Sequence, residues 1–196
     1  TLQVIESYAI RQGQHKIRVK NRTPVGLINA VVITSSYTNN DGVAGPFVIT
    51  LTIEEDGKEY VFYIPRFLSL ETSKNLDNFF NMYSPSAMSE EYMDSLYEDT
   101  PCLYVKQDTA LELYHLTGKQ FYKDFLKKSK NSIIKRYFDR CQEKEIIDFL
   151  QFGFFASSSL DKFRKIADER EMSILSAYIL EEQKKKAPKT TTKFTI

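Results

Sequence analysis

The run Phe47-Val-Ile-Thr-Leu-Thr-Ile-Glu-Glu-Asp-Gly-Lys-Glu-Tyr-Val-Phe-Tyr-Ile-Pro65 decides how the amino-terminal half folds. Apolar and polar residues alternate over 47–53 and again over 59–64, with Asp56-Gly57 inside the five-residue connection between them. Successive side chains of a strand point to opposite faces, so such alternation buries one face and wets the other, and glycine supplies the backbone freedom that a reversal needs. A β-hairpin is predicted, ended by Pro65, which has no N–H to give to a ladder. Upstream, residues 27–34 (LINAVVIT) form a nearly continuous apolar run of strand length, followed by the turn formers Asn39-Asn40-Asp41-Gly42 and Gly45-Pro46. Further upstream, Lys16-Ile17-Arg18-Val19-Lys20-Asn21-Arg22 alternates basic and apolar residues before the break at Pro24 and Gly26. A strand there would place Lys16, Arg18, Lys20 and Arg22 on one face. A small antiparallel sheet, closed or sandwich-like, is therefore expected over roughly residues 2–68.

Downstream of Pro65 the pattern changes. Leu70, Leu76, Phe79, Phe80, Met88, Tyr92, Met93 and Leu96 recur at helical spacings among acidic residues, with Ser84-Pro85 as a breaker, which predicts two short helices over 69–100. Residues 102–105 read as one more strand. From Leu111 onward apolar residues recur every three or four positions, and no proline interrupts them before Pro188. The expected class is α+β. Residues 1–110 would form a β-rich, barrel-like module with short helices at 70–100, residues 111–187 a helical module with two hairpin repeats, and residues 188–196 an extended tail.

The helical part carries an internal repeat. Residues 134–145 superimpose on 160–171 at an offset of 26, which pairs Ile134 with Leu160, Tyr137 with Phe163, Cys141 with Ala167, and Glu143-Lys144-Glu145 with Glu169-Arg170-Glu171. A two-helix unit of this size cannot bury its apolar face alone, and stacking on a neighbour solves that problem. Within it, the stretch Ser159-Leu-Asp-Lys-Phe-Arg-Lys-Ile-Ala-Asp-Glu-Arg-Glu-Met-Ser-Ile-Leu-Ser-Ala-Tyr-Ile-Leu-Glu-Glu-Gln183 resembles a degenerate ankyrin-type helical hairpin, whose second helix ends in an Ala-Tyr-Leu-Leu-Glu-like run. The resemblance covers residues 134–183. The Thr-Pro-Leu-His start and the β-turn glycines of regular units are absent from it. What it implies is a packing or protein-contact role.

Composition narrows the function. The 27 basic and 26 acidic residues leave a formal charge of +1, unlike a uniformly basic nucleic-acid coat or an acidic disordered tail. No apolar stretch approaches the ~18 residues of a membrane span. With only Cys102 and Cys141 there is no disulfide framework, and a reducing, cytoplasmic setting is expected. No glycine-rich phosphate loop, HExxH, GxSxG or paired CxxC is present. His15 and His115 are the two near-neutral proton carriers and fall in different predicted modules. Both cysteines read as small packed hydrophobes, so neither a nucleophile nor a metal site is expected. Asn39-Asn40-Asp41-Gly42 lacks the later glutamate of a calcium loop. Glu54/Glu55 and Glu90/Glu91 read as solvated carboxylates. No catalytic residue, metal or cofactor is assigned.

Charge is unevenly spread. Residues 71–110 hold eight acids against Lys74 and Lys106, a net −6, whereas 119–140 hold eight bases against Asp124 and Asp139, a net +6. Lys119, Lys123, Lys127 and Lys130 would share one helix stripe, with Phe121, Tyr122 and Phe125 turned toward the core. The expectation is a non-enzymatic macromolecular-binding protein, an assembly component or adaptor with a protein partner or a second copy of itself, of the kind encoded as accessory proteins by viruses and mobile elements. The β-prone tail residues Thr192, Phe194 and Ile196 are its expected protein contact. The alternative is single-stranded nucleic acid binding by Lys16, Arg18, Lys20, Arg22, Lys119, Lys123, Lys127 and Lys130, with bases stacking on exposed Tyr37, Tyr60 or Tyr63. An enzyme is the second alternative; the acidic segment could equally meet the basic helix.

Overall fold

The hairpin forms, and more tightly than its sequence suggests. The computed structural model describes residues 14–19, 46–55, 57–82, 85–100 and 102–186. Within them β1 (Gln14–Val19), β2 (Val48–Glu55) and β3 (Lys58–Pro65) make one sheet in the order β1-β2-β3. β2 and β3 are antiparallel, from Val48 opposite Pro65 to Glu55 opposite Lys58, so two residues connect them rather than five. Gly57 makes the reversal possible with φ +75°, a region where a β-carbon is strained. The sheet is mixed, not purely antiparallel: β1 runs parallel to β2, with Gln14 opposite Thr50 and Val19 opposite Glu55. A parallel neighbour needs a connection of about a dozen residues or more, which the segment after β1 supplies, and alternation carries no information about strand direction. Residues 27–34, the turn formers at 39–42, Lys20, Arg22, Tyr37 and the tail at 188–196 lie outside the described residues.

The alternation of 47–65 decides the core. Ile49, Leu51 and Ile53 point to one face of β2, and their β3 counterparts Ile64 and Phe62 are buried beside them. Leu68, Leu76 and Leu96 complete this layer, with Phe79, Met88, Tyr92 and Met93 packed against it. Burying each such side chain stabilises the fold by roughly 1.5–3 kcal/mol. The helices above the sheet are α1 (Leu70–Met82) and α2 (Glu90–Glu98), separated by a 3-10 turn at Pro85–Ala87. Each starts at a serine whose hydroxyl accepts a backbone N–H, Thr72 to Ser69 at 3.1 Å and Tyr92 to Ser89 at 3.2 Å. The Asp99 carboxylate accepts from the Ser69 N–H at 3.1 Å. Desolvation would raise its pKa, but hydrogen bonds from Thr72 and Ser69 outweigh that and hold it below the ordinary carboxylate range.

No strand forms at 102–105. Those residues open α3 (Leu103–Thr117), where the Lys106 N–H bonds to the Cys102 carbonyl at 2.8 Å and Val105, Ala110 and Leu113 are buried. The module boundary read near residue 110 thus falls inside a helix. The chain divides instead into two compact units, Thr1–Leu126 and Lys127–Ile196, and α4 (Gln120–Asp139) runs through the division. The second unit continues with α5 (Glu143–Leu150), α6 (Ser157–Glu169) and α7 (Ser173–Lys186). The class is α+β, a small sheet followed by a helical module.

The second unit holds a structural repeat at an offset of thirty residues, not 26. After α4, Cys141 takes φ 51° and bonds to Phe138, while Gln142 bonds to Tyr137; after α6, Glu171 takes φ 57° and bonds to Asp168, while Met172 bonds to Ala167. Ala167 therefore stands where Tyr137 stands, and Glu171 where Cys141 stands. The two charged triplets paired by sequence have different roles: Glu143-Lys144-Glu145 begins a helix, and Glu169-Arg170-Glu171 ends one. Cys141 is exposed in its turn rather than packed as a small hydrophobe, and Cys102 is half-buried before α3. Phe163 packs on Phe138 and Phe155, with ring centroids 5.6 and 5.0 Å away, and the Arg170 guanidinium donates to the Phe138 carbonyl.

Candidate binding cleft

Of the basic residues singled out in the sequence, Lys119, Lys123 and Lys130 each meet a neighbouring group. Lys16 and Arg18 lie in β1, at register positions opposite Thr52 and Glu54. Lys119 precedes α4 and is ion-paired, Lys123 Nζ lies 5.8 Å from the centre of the Tyr114 ring, and Lys130 Nζ donates to the Phe154 carbonyl at 2.7 Å. Lys127 is exposed. Of the tyrosines proposed as stacking platforms, Tyr60 and Tyr63 are half-buried, and Tyr60 packs against the sheet core. His115 is exposed in the last turn of α3, and His15 lies in β1. Among the described residues no three His, Cys, Asp or Glu side chains converge as metal ligands.

The concave site is elsewhere in the first unit. A cleft of about 420 Å³ opens between β3, α2, the end of α3 and the start of α4. Val61, Phe62, Met88, Met93, Leu113 and Leu116 give it an apolar lining, and Glu90, Asp94, Lys119 and Tyr122 give it a polar rim. Two of the apolar residues stay open to water, Val61 at 47% and Leu116 at 42% exposure.

The local fold explains how Lys119 reaches α2. Gly118 ends α3 with φ +66°, and its N–H bonds to the Tyr114 carbonyl at 2.8 Å. The Thr117 hydroxyl donates to the Leu113 carbonyl at 2.6 Å and accepts from the Lys119 N–H at 3.3 Å. The turn delivers Lys119 Nζ to 3.0 Å from both Asp94 oxygens and 3.2 Å from Glu90 Oε2. Glu90 and Asp94 are four residues apart and so share one face of α2. The Tyr122 hydroxyl donates to Asp94 Oδ1 at 3.1 Å. Partial desolvation lowers the Lys119 pKa, but the Asp94 and Glu90 carboxylates outweigh it and hold the ammonium above its ordinary value. Burial, then the negative charge of Asp94, pushes the Tyr122 phenol well above its ordinary value. Asp94 thus joins both neighbours, pairing with the Lys119 ammonium and accepting the Tyr122 hydroxyl.

Sequence reasoning found the acidic and basic segments and allowed that they meet, and Lys119 is one residue where they do. It missed Val61, Met93, Asp94 and Leu116. The available signal was the i, i+4 spacing of Glu90 and Asp94 against an isolated lysine just after a glycine helix stop. Comparison of the chain with protein-family models, curated proteins and solved structures found no match. Among the described residues no helix is long and apolar enough to cross a membrane.

Proposed function

We propose that the chain is a non-enzymatic protein-binding component of a reducing, cytoplasmic setting, and that the cleft of its first unit receives an apolar side chain of a protein partner. One observation carries this reading: the lining is apolar, and the Lys119 ammonium and the Tyr122 phenol at its rim both have pKa values raised further from neutral pH. A proton carrier works best when its pKa lies near the working pH. Asp94 and Glu90 move Lys119 upward, and burial moves Tyr122 upward, so both serve better as fixed recognition groups than as acids or bases. A cleft of this size with a few convergent polar groups has the proportions of a docking pocket. The second unit, 134–183 included, is read as a contact scaffold, and Ile174, at 66% exposure, gives it an apolar point on the surface.

The test is selection of a displayed random-peptide library on the full chain and on Leu116→Arg, which places a charge at the mouth of the cleft without touching the buried core. Peptides enriched by the parent chain and lost on Leu116→Arg are expected. No enrichment, or enrichment indifferent to the substitution, would overturn the proposal.

A further inference from the structure

The cleft is walled by backbone as well as by side chains. Val61, Phe62 and Tyr63 are consecutive in β3, and all three line it. Neighbouring side chains of a strand point to opposite faces, so a cavity that meets three in succession runs along the edge of the strand. Among the described residues β3 is an edge strand, because the order is β1-β2-β3.

The hydrogen-bond phase shows which groups that edge presents. The Arg66 N–H bonds to the Phe47 carbonyl at 2.9 Å, bracketing Val48 and Pro65 as a non-hydrogen-bonded pair. Residues of such a pair turn their N–H and C=O away from the partner strand, and the two kinds of pair alternate. Tyr63 opposite Thr50 and Val61 opposite Thr52 are therefore of the same kind, whereas Phe62 and Ile64 bond inward to Leu51 and Ile49. Val61 and Tyr63 direct their backbone donors and acceptors outward along the cleft.

Charge selects what can lie there. α2 carries Glu90, Glu91, Asp94 and Glu98 and no basic residue, and the Glu90 side chain is 85% exposed at the rim. Lys119, the single cation of the lining, is already held by Asp94 and Glu90. A polyanion would face carboxylates, and a cationic strand would be matched.

We propose that an extended segment of a partner protein adds as a strand beside β3, placing an apolar side chain against Val61 and Leu116 at the mouth of the cleft and lysine or arginine at alternate positions toward Glu90. Alternate side chains of an extended chain are about 7 Å apart, so apolar and basic groups two residues apart share the cleft face. Main-chain bonds to Val61 and Tyr63 give affinity, and the cleft gives specificity. This inference rests on the protein-binding reading and names the partner's conformation and charge.

The probe is fluorescein-labelled acetyl-Ser-Lys-Thr-Ile-Thr-Lys-Ser amide, titrated by fluorescence anisotropy into the full chain. Two analogues carry backbone N-methyl groups, one on Lys, Ile and Lys, the other on the two Thr. Saturable binding is expected, and one analogue only should lose about tenfold or more in affinity, because alternate amides face β3. Glu90→Lys should also weaken binding by about tenfold. Amide hydrogen exchange at Val61 and Tyr63 should be fast in the free chain and slow when it is saturated. Absence of binding, equal tolerance of both methylations, or slow exchange in the free chain, meaning that the chain or a second copy already covers the edge, would each overturn strand addition. Library peptides that depend on Leu116 yet ignore backbone methylation would sink strand addition alone; an empty library selection would remove the protein-binding reading as well.

Discussion

Tyr97 shows at the scale of one residue how the first unit is fastened. Its ring is fully buried and meets Phe121, Tyr122 and Phe125 edge-on at centroid distances of 5.6, 5.2 and 5.7 Å, and Lys106 Nζ lies 4.9 Å from its centre. Aromatic edge-to-face pairs add about 0.5–1.5 kcal/mol beyond area burial. The hydroxyl, however, is buried with no hydrogen-bond partner among the described residues. Leaving such a group unsatisfied costs about 1–3 kcal/mol, so Tyr97→Phe should leave stability unchanged or raise it by about 1 kcal/mol in urea unfolding. Tyr97→Ala should cost about 3–5 kcal/mol. A clear loss in Tyr97→Phe would mean that the hydroxyl does hold a partner. Tyr122 was legible as a core residue from helical spacing alone, whereas Lys119 was read as a phosphate ligand. A long lysine stem crosses between elements, and spacing within one element does not show which carboxylate it meets.

At the scale of elements, the second unit was legible in kind but not in phase. Helices of the repeat were placed by their apolar period, yet the offset of 26 differs from the structural thirty by four residues. Four residues are close to one helical turn, so sliding by that amount keeps apolar positions on apolar positions. What distinguishes the two alignments is the backbone of the turns, where Cys141 and Glu171 adopt φ 51° and 57°. Residues other than glycine pay about 1 kcal/mol in that region. Cys141→Gly and Glu171→Gly should therefore each stabilise the chain, by about 0.5–1 kcal/mol, and the double variant reads any coupling between the turns, which meet where Arg170 donates to the Phe138 carbonyl. Thermal unfolding of the single and double variants measures this, and a fall in melting temperature would contradict the assigned turns. The strand misread at 102–105 has a similar cause, since a four-residue apolar run fits either element until its neighbours are counted.

For the molecule as a whole, the buried phenols of Tyr97 and Tyr122 set an alkaline limit. Burial first, with nearby negative charge adding to it, raises the pKa of Tyr97 and Tyr122 in the folded state. Unfolded tyrosine ionises near 10. A raised folded value means that the stabilising difference is complete below the unfolded pKa and is lost as pH rises toward the folded one. Stability should therefore fall above about pH 10, and the Tyr97 and Tyr122 phenols should resist ionisation until the chain unfolds. Tyrosinate absorbance at 295 nm followed beside circular dichroism tests this, and Tyr97→Phe with Tyr122→Phe should move the alkaline midpoint upward. The α+β class was legible because alternation and three-to-four spacing occupy different stretches of the chain. The cleft was not, because β3, α2 and α3 meet only through tertiary packing.

Pro65 closes the sheet edge in a way that bears on self-association. It lies in a pair whose backbone groups turn outward, and its nitrogen carries no hydrogen. A strand laid along β3 finds donors at Val61 and Tyr63 and then none at the next outward position. On the proposed strand addition, the donor missing at Pro65 would end the ladder at that position, one of the ways in which exposed sheet edges are kept from open-ended pairing.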